Sequence, residues 1–236
     1  MTATPTGAVP RGCAVVIPAR NEAGAIANVV AQIPRDIEAE VIVVDNGSTD
    51  GTGEAARMAG ARVVVEPRRG YGEACRAGAA AAEGAAIIVF IDGDGTMDPG
   101  EIPRLIAPIL ANEADIVCGS RSRADPGSLP LHQRVGNRLA AGLLSMLYGV
   151  RLEELGPYRA GRAATLAELG LRGSRYAWVA ELLARAARRG ARITEVEVSY
   201  RHRIAGRSKV GGTVRGSLGA GLAIVGTLLW RRIAPW

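Results

Sequence analysis

Aromatic residues make up only 4% of the 236-residue sequence, with a single Phe. A row of stacking side chains for single-stranded nucleic acid is therefore not available, and no nucleic-acid partner is expected. Cysteine is scarce as well, and Cys13, Cys75 and Cys118 show no CxxC spacing. That excludes a disulfide framework and gives no sign of a thiolate metal site. Cys13 and Cys118 fall in or beside apolar runs, so buried, reduced thiols in a reducing cytosol are expected. No stretch supplies the roughly 18 uninterrupted apolar residues of a membrane span. The opening MTATPTGAVPRG has no apolar core of signal-peptide type. A Walker-type GxxxxGK[ST] phosphate loop is also missing.

What is present is apolar and glycine-rich: 48% of the residues are hydrophobic and 31 are Gly. One sizeable core is expected, built on tight turns and close helix packing. The net charge of +6 suits anionic substrates or acidic lipid without choosing between them.

Short apolar runs recur at Cys13–Ile17, Val41–Val44, Arg62–Val65, Ala86–Ile91 and Ala114–Gly119, separated by helix-like segments. Such alternation predicts right-handed βαβ units and a mostly parallel sheet, an α/β fold. Leu155–Ala160 reads as a turn. Ile193–Tyr200 alternates polar and apolar residues, as a half-exposed strand does. Helices are expected over 134–148, with Leu139, Leu143, Leu144 and Leu147 on one side, over 178–189, and in the apolar stretch 216–230. The first and last of these either pack on the core or lie at a membrane interface.

The run Ala86–Ile91 ends abruptly in Asp92-Gly93-Asp94-Gly95. In open α/β sheets, ligands bind at the carboxyl ends of strands. Paired carboxylates there can hold a hard divalent cation and, through it, phosphate oxygens; a solvated turn is the plainer alternative. Asp45 ends another run, where it either accepts hydrogen bonds from a base or ribose or caps the next helix. Gly70 opens a helix behind Arg68 and Arg69, a place where backbone N–H groups can meet phosphate. Arg121 stands just beyond a strand and can clamp an anion. Arg201–Lys209 is either a phosphate-binding loop or a solvated run of charge. Glu181 lies among apolar neighbours on its helix, where the ordinary reading is an exposed polar face.

Taken in order, Ile17–Glu22, Val43–Gly51, Gly70-Tyr71-Gly72, Asp92-Gly93-Asp94 and Gly206–Lys209 with Gly211-Gly212 resemble the motifs of family 2 glycosyltransferases. The similarity is close to the subgroup containing dolichyl-phosphate mannose synthases. It implies a GT-A (Rossmann-like) three-layer sandwich over 11–212, after a tail of residues 1–10. A C-terminal apolar helix over 213–236 would be interfacial or oligomerising.

By position, the resemblance gives Pro18, Ala19, Asn21, Glu22 and Asp45 to the nucleotide's base and ribose. Asp92 and Asp94 match the DxD motif that binds Mg²⁺ or Mn²⁺ and the sugar diphosphate. Gly70, Gly93 and Arg121 fall near the donor, and Arg207 and Lys209 in a basic loop over the phosphates. Asp94 and Glu181 carry the catalytic roles, Glu181 as general base if the acceptor is a hydroxyl. Thr96 stands where some relatives carry a Gln, and His202 is either a metal ligand in its place, as a His near the end of the domain is in other relatives, or a surface His. The implied donor is UDP- or GDP-linked, and the acceptor a hydroxyl compound or a lipid phosphate at the inner face of the membrane. A homodimer is a further possibility. Two other function classes fit less well: a nucleotide-sugar-binding partner without catalysis, and a nucleotidyltransferase, which wants a Gly-rich basic loop near Pro18–Glu22.

Overall fold

The computed structural model describes residues 12–173, 175, 177–205 and 214–233. The tail of residues 1–10, and with it Arg207 and Lys209, lies outside the described residues.

Seven strands form one sheet: β1 (Cys13–Ala19), β2 (Glu40–Asp45), β3 (Arg62–Val65), β4 (Ile87–Phe90), β5 (Ile116–Ala124), β6 (Arg159–Arg162) and β7 (Ile193–Tyr200). Their order is β3-β2-β1-β4-β6-β5-β7. β3, β2, β1 and β4 pair in parallel, as do β5 and β7. β6 runs antiparallel between β4 and β5. The helices are α1 (Ala23–Ala31), α2 (Thr52–Met58), α3 (Tyr71–Ala81), α4 (Ile102–Leu110), α5 (Leu131–Tyr148), α6 (Ala163–Glu168), α7 (Ala177–Arg188) and α8 (Val214–Ile233).

The unbroken apolar runs are explained by two cores, one on each face of the sheet. Val15, Ile17, Ile87, Val89 and Ile91 point to one core, with Ile26 of α1 and Leu105 of α4. Ala14, Val16, Ile88 and Phe90 point to the other, with Cys75 of α3, Leu144 of α5 and Leu182 of α7. A strand covered on both sides has no polar face to alternate with. The result is the expected three-layer α/β sandwich. All three thiols are free and buried, Cys13 and Cys118 as their apolar settings predicted.

The stretch read as a turn needs correcting: its last two residues open β6. Arg159-Ala160-Gly161-Arg162 has no β-branched or aromatic residue, so local preference for a strand is weak. Its neighbours supply the pairing. The helix α4 gave no sequence signal because it holds Pro103 and Pro108. Pro103 sits in the first turn, where the missing N–H costs nothing.

The C-terminal helix is not a separate appendage. It docks on α5 and α7. Leu228 is buried, and Tyr148 Oη donates to its carbonyl at 2.5 Å. Among the described residues, no helix is long and apolar enough to cross a membrane.

Close packing also fixes where α3 begins. A methyl group at Gly72 would collide with the Gly173 carbonyl oxygen and lie 2.8 Å from Trp178 Cβ. Ala in a helix gains about 1 kcal/mol over Gly, but here the backbone would have to move. Gly72→Ala is therefore expected to lose about 2 kcal/mol net, read from the urea midpoint.

Candidate active site

The carboxyl ends of β1, β2 and β4 lie side by side. Ala19 is in register with Asp45, and the Asn46 N–H donates to the Ala19 carbonyl at 2.9 Å. Asn21 adopts the left-handed region (φ 52°), and its Oδ1 accepts from the Thr49 N–H at 2.8 Å. Asp45 Oδ1 accepts from the Ser48 N–H at 2.9 Å, so it holds its own loop in a tight turn. The Glu22 N–H donates to Thr52 Oγ1 at 2.8 Å. Thus the two loops carrying Asn21, Glu22 and Asp45 are tied together, with Pro18 and Ala19 beneath them. Gly93 packs over Ala19, since a Cβ there would sit 3.5 Å from the Ala19 methyl.

Gly70 is brought in by a residue that sequence reasoning passed over. Asn46 is buried; its Nδ2 donates to the carbonyls of Glu66 and Arg68, both at 2.8 Å, and its Oδ1 accepts from the Gly70 N–H at 2.8 Å. The signal was available: an Asn directly after a strand-ending Asp is a common turn device.

The two acids of Asp92-Gly93-Asp94 differ in their surroundings. Asp94 Oδ1 accepts from the Thr96 N–H at 3.0 Å and from Thr96 Oγ1 at 2.6 Å. Its Oδ2 is 2.6 Å from Arg203 Nη2. Asp92 is half-buried, but its Oδ1 is shut off from solvent and has no hydrogen-bond partner. Burial, and then the neighbouring Asp94 charge, push the Asp92 carboxyl up to about 7, against the pull of Arg159, Arg121 and Arg203. An orphaned carboxylate oxygen beside a second acid fits a hard cation with oxygen ligands, Mg²⁺ or Mn²⁺. Among the described residues, no third His, Cys, Asp or Glu completes a protein-only metal site, which leaves coordination positions for water and phosphate. His202 turns elsewhere, its Nε2 lying 3.2 Å from the Pro126 carbonyl.

Arg159 is the main side chain near this site that the sequence hid, inside the stretch read as a turn. It is 1% exposed. Its guanidinium donates to the Gly156 and Pro157 carbonyls and stacks over Trp178, 5.6 Å from the ring centroid. Yet Nη1 is buried without a partner, as is the Trp178 Nε1. Trp178 in turn packs edge-on against Phe90, the last residue of β4, at 5.1 Å between ring centroids. These orphaned polar atoms belong to residues grouped around the end of β4, as does the Tyr71 Oη, whose ring packs edge-on against Trp178; such unmet groups can be satisfied by a polar ligand or by water.

Arg121 is placed by Glu154 in a two-pronged ion pair, 2.7 Å on each prong, and lies over the Tyr200 ring. It acts on the site through its charge, held in one position. Glu181 does not present an exposed polar face. It is 1% exposed, and its Oε2 accepts from the N–H groups of Arg172 and Gly173 at 3.0 and 2.5 Å. Its Oε1 pairs with Arg185 at 3.0 Å and with Arg231 of α8. Both oxygens of this carboxylate are therefore already engaged.

Residues 14–169 match the family described as Glycosyl transferase family 2. An uncharacterized glycosyltransferase of Mycobacterium tuberculosis is 42% identical over 204 residues, covering 86% of this chain and 92% of its own. A dolichyl-phosphate hexose transferase of Haloferax volcanii is 36% identical over 229 residues, covering 93% and 95%. An undecaprenyl-phosphate mannosyltransferase of Micrococcus luteus is 30% identical over 241 residues, covering 94% of each. Among solved structures, glucosyl-3-phosphoglycerate synthase of M. tuberculosis, in complex with Mn²⁺, UDP-glucose and phosphoglyceric acid, is similar with a TM-score of 0.77 at 28% identity. The alignment covers 96% of this chain and 82% of that one.

The raised Asp92 carboxyl has a consequence for stability without metal. Its ordinary value is 3.8 and the folded one about 7. The folded state therefore binds more protons than the unfolded state across that window, and this group's contribution worsens as pH rises through it. Asp92→Asn is expected to raise the melting midpoint at pH 8 in chelator by roughly 3 °C, the equivalent of about 1 kcal/mol. The gain should disappear towards pH 4, as followed by circular dichroism.

Proposed function

The chain belongs to glycosyl transferase family 2, and from that we propose that it moves a sugar from a UDP- or GDP-linked donor to the phosphate of a polyprenyl lipid. The observation carrying this reading is the orphaned Asp92 Oδ1 beside Asp94, with the unpartnered Arg159 Nη1 in the same surroundings. These groups leave a cation and an anion unmet, and a metal-bound sugar diphosphate supplies both.

Asp92 and Asp94 would hold Mg²⁺ or Mn²⁺, which when bound neutralises charge gathering on the departing diphosphate. Pro18, Ala19, Asn21, Glu22 and Asp45 frame the nucleotide, and Gly70 and Gly93 keep the backbone low beneath it. Arg121 and Arg159 add positive charge around the phosphates. An acceptor oxygen attacks the anomeric carbon from the side opposite the diphosphate. The new C–O bond forms as the bond to the β-phosphate oxygen breaks, and the electron pair leaves with the nucleoside diphosphate. Configuration inverts. A phosphate acceptor is already ionised, so no base is required, in keeping with the fully engaged oxygens of Glu181.

The acceptor class is supported by the outer surface of α5 and α8. Leu131, Leu139, Met146, Leu222 and Trp230 are all more than 60% exposed. Neither helix contains an acidic residue, while the exposed Arg134, Arg138 and Arg232 lie on them. An exposed apolar surface with only basic charge suits the boundary of an anionic bilayer. The polyprenyl-phosphate relatives named above agree with this choice.

The test is release of nucleoside diphosphate from UDP- and GDP-sugars, with polyprenyl phosphate or phosphoglycerate as acceptor. Turnover is expected only with Mg²⁺ or Mn²⁺ and with the lipid phosphate. Asp92→Asn and Asp94→Asn should each lower kcat/KM by about 10²–10³-fold. Full metal-dependent turnover in either variant would overturn the assignment. For the membrane surface, Leu139→Glu with Trp230→Glu is expected to slow transfer to lipid phosphate in anionic vesicles by about tenfold or more. Transfer to a short, water-soluble polyprenyl phosphate should hold at the wild-type rate.

A further inference from the structure

Arg203 stands directly over the acidic pair. Its Nη2 is 2.6 Å from Asp94 Oδ2, and its Nη1 lies 2.9 and 3.0 Å from the two oxygens of Glu22. The Arg203 side chain is 20% exposed, against 9% for Asp94 and 8% for Glu22. A part-buried guanidinium shared by two buried carboxylates is a strong ionic contact rather than a solvated surface pair.

The backbone carrying Arg203 is fixed to the acidic turn. The Arg201 N–H donates to the Thr96 carbonyl at 2.7 Å, and the Ile204 N–H to the Asp94 carbonyl at 3.4 Å. Arg201 also pairs with Asp98. Ile204 rests on Gly95, where any Cβ would collide with it, and Ala205 rests on Gly24 in the same way. With the backbone held in this way, releasing Asp94 requires only a change in the Arg203 side chain.

This arrangement excludes simple addition of a cation. Asp94 Oδ1 is engaged by Thr96, and Oδ2 by Arg203. A divalent ion coordinated by Oδ2 would meet a guanidinium already there, and the two positive charges would repel. We propose that Arg203 is a resident counter-ion that the metal must displace from Asp94. The nucleotide's diphosphate then gives the displaced guanidinium a new anionic partner. Cation and diphosphate therefore bind as a coupled pair, each making room for the other, and the metal alone binds weakly. Arg203 is a positioning residue: it sets the order of binding and holds Asp94 and Glu22 in place while the site is without metal. The inference rests on the reading of Asp92 and Asp94 as the metal-holding pair.

Mn²⁺ binding to the full chain, followed by the electron paramagnetic resonance signal of the free ion, tests it without any turnover. Measurements are made with and without UDP, on the wild type, Arg203→Ala, Arg203→Gln and Glu22→Gln. In the absence of UDP, the two Arg203 variants are expected to bind Mn²⁺ about tenfold more tightly than the wild type. The tightening produced by UDP should shrink by the same factor. Glu22→Gln leaves Arg203 with Asp94 as its one carboxylate, so it should weaken Mn²⁺ binding. Variants that merely damage the fold would lose affinity, the opposite sign for Arg203. Equal or weaker Mn²⁺ binding in a folded Arg203 variant, judged by its melting midpoint, overturns the proposal. Wild-type Mn²⁺ binding in the presence of UDP, and its loss in Asp94→Asn, reports separately on the site itself.

Discussion

The constraint on which this structure depends is charge at the end of a covered strand. β4 is apolar on both faces because a core lies on each side, and it delivers Asp92 to a place where water is shut away from one oxygen. An isolated ionised carboxylate in such a place is strongly unfavourable. The protein answers with three guanidiniums from three different elements: Arg121 of β5, Arg159 of β6 and Arg203 after β7. None of them forms a direct ion pair with Asp92. Arg121 is held by Glu154, Arg159 by backbone carbonyls, and Arg203 by Asp94 and Glu22. The balance is one of fields rather than contacts, and it leaves the acid poised for a ligand.

The antiparallel strand β6 is what makes this possible. Inserted between β4 and β5, it enters the sheet beside the acidic end of β4, with Phe90 in register with Arg159. A parallel strand in that position would bring its first residue to the opposite end of the sheet. The same insertion brings Arg159 beneath Trp178 of α7, so one aromatic ring covers both the cation and the last residue of the acidic strand.

The parallel half of the sheet and the two acids were legible in the sequence because they rest on short-range signals. Apolar runs ending in Asp mark strand ends, and glycine beside acid marks a turn. Arg159 and Glu154 were not legible, and Arg203 was legible only as part of the basic run 201–209 and not by its partners, for a common reason. Their importance comes from residues far along the chain: Phe90 for Arg159, Arg121 for Glu154, and Glu22 and Asp94 for Arg203. Nothing local to Glu154 sets it apart from Glu153 beside it. The burial of Glu181 was hidden in another way. Its neighbours are apolar all round, and the partners that make burial tolerable are two backbone N–H groups, Arg185 one turn further along α7 and an Arg on the last turns of α8.

Glu181 also links the cleft to the outer surface. Trp178, which covers Arg159, and Glu181, which receives Arg231, are three residues apart on α7 and lie on neighbouring turns of the same helix. A buried carboxylate needs its donors, and removing one partner from such a pair is costly. Arg231 therefore holds α8 against α7 from within, while Trp230 and Leu222 of α8 remain exposed. A contact that pulled α8 away would uncover Glu181 and disturb the helix carrying Trp178.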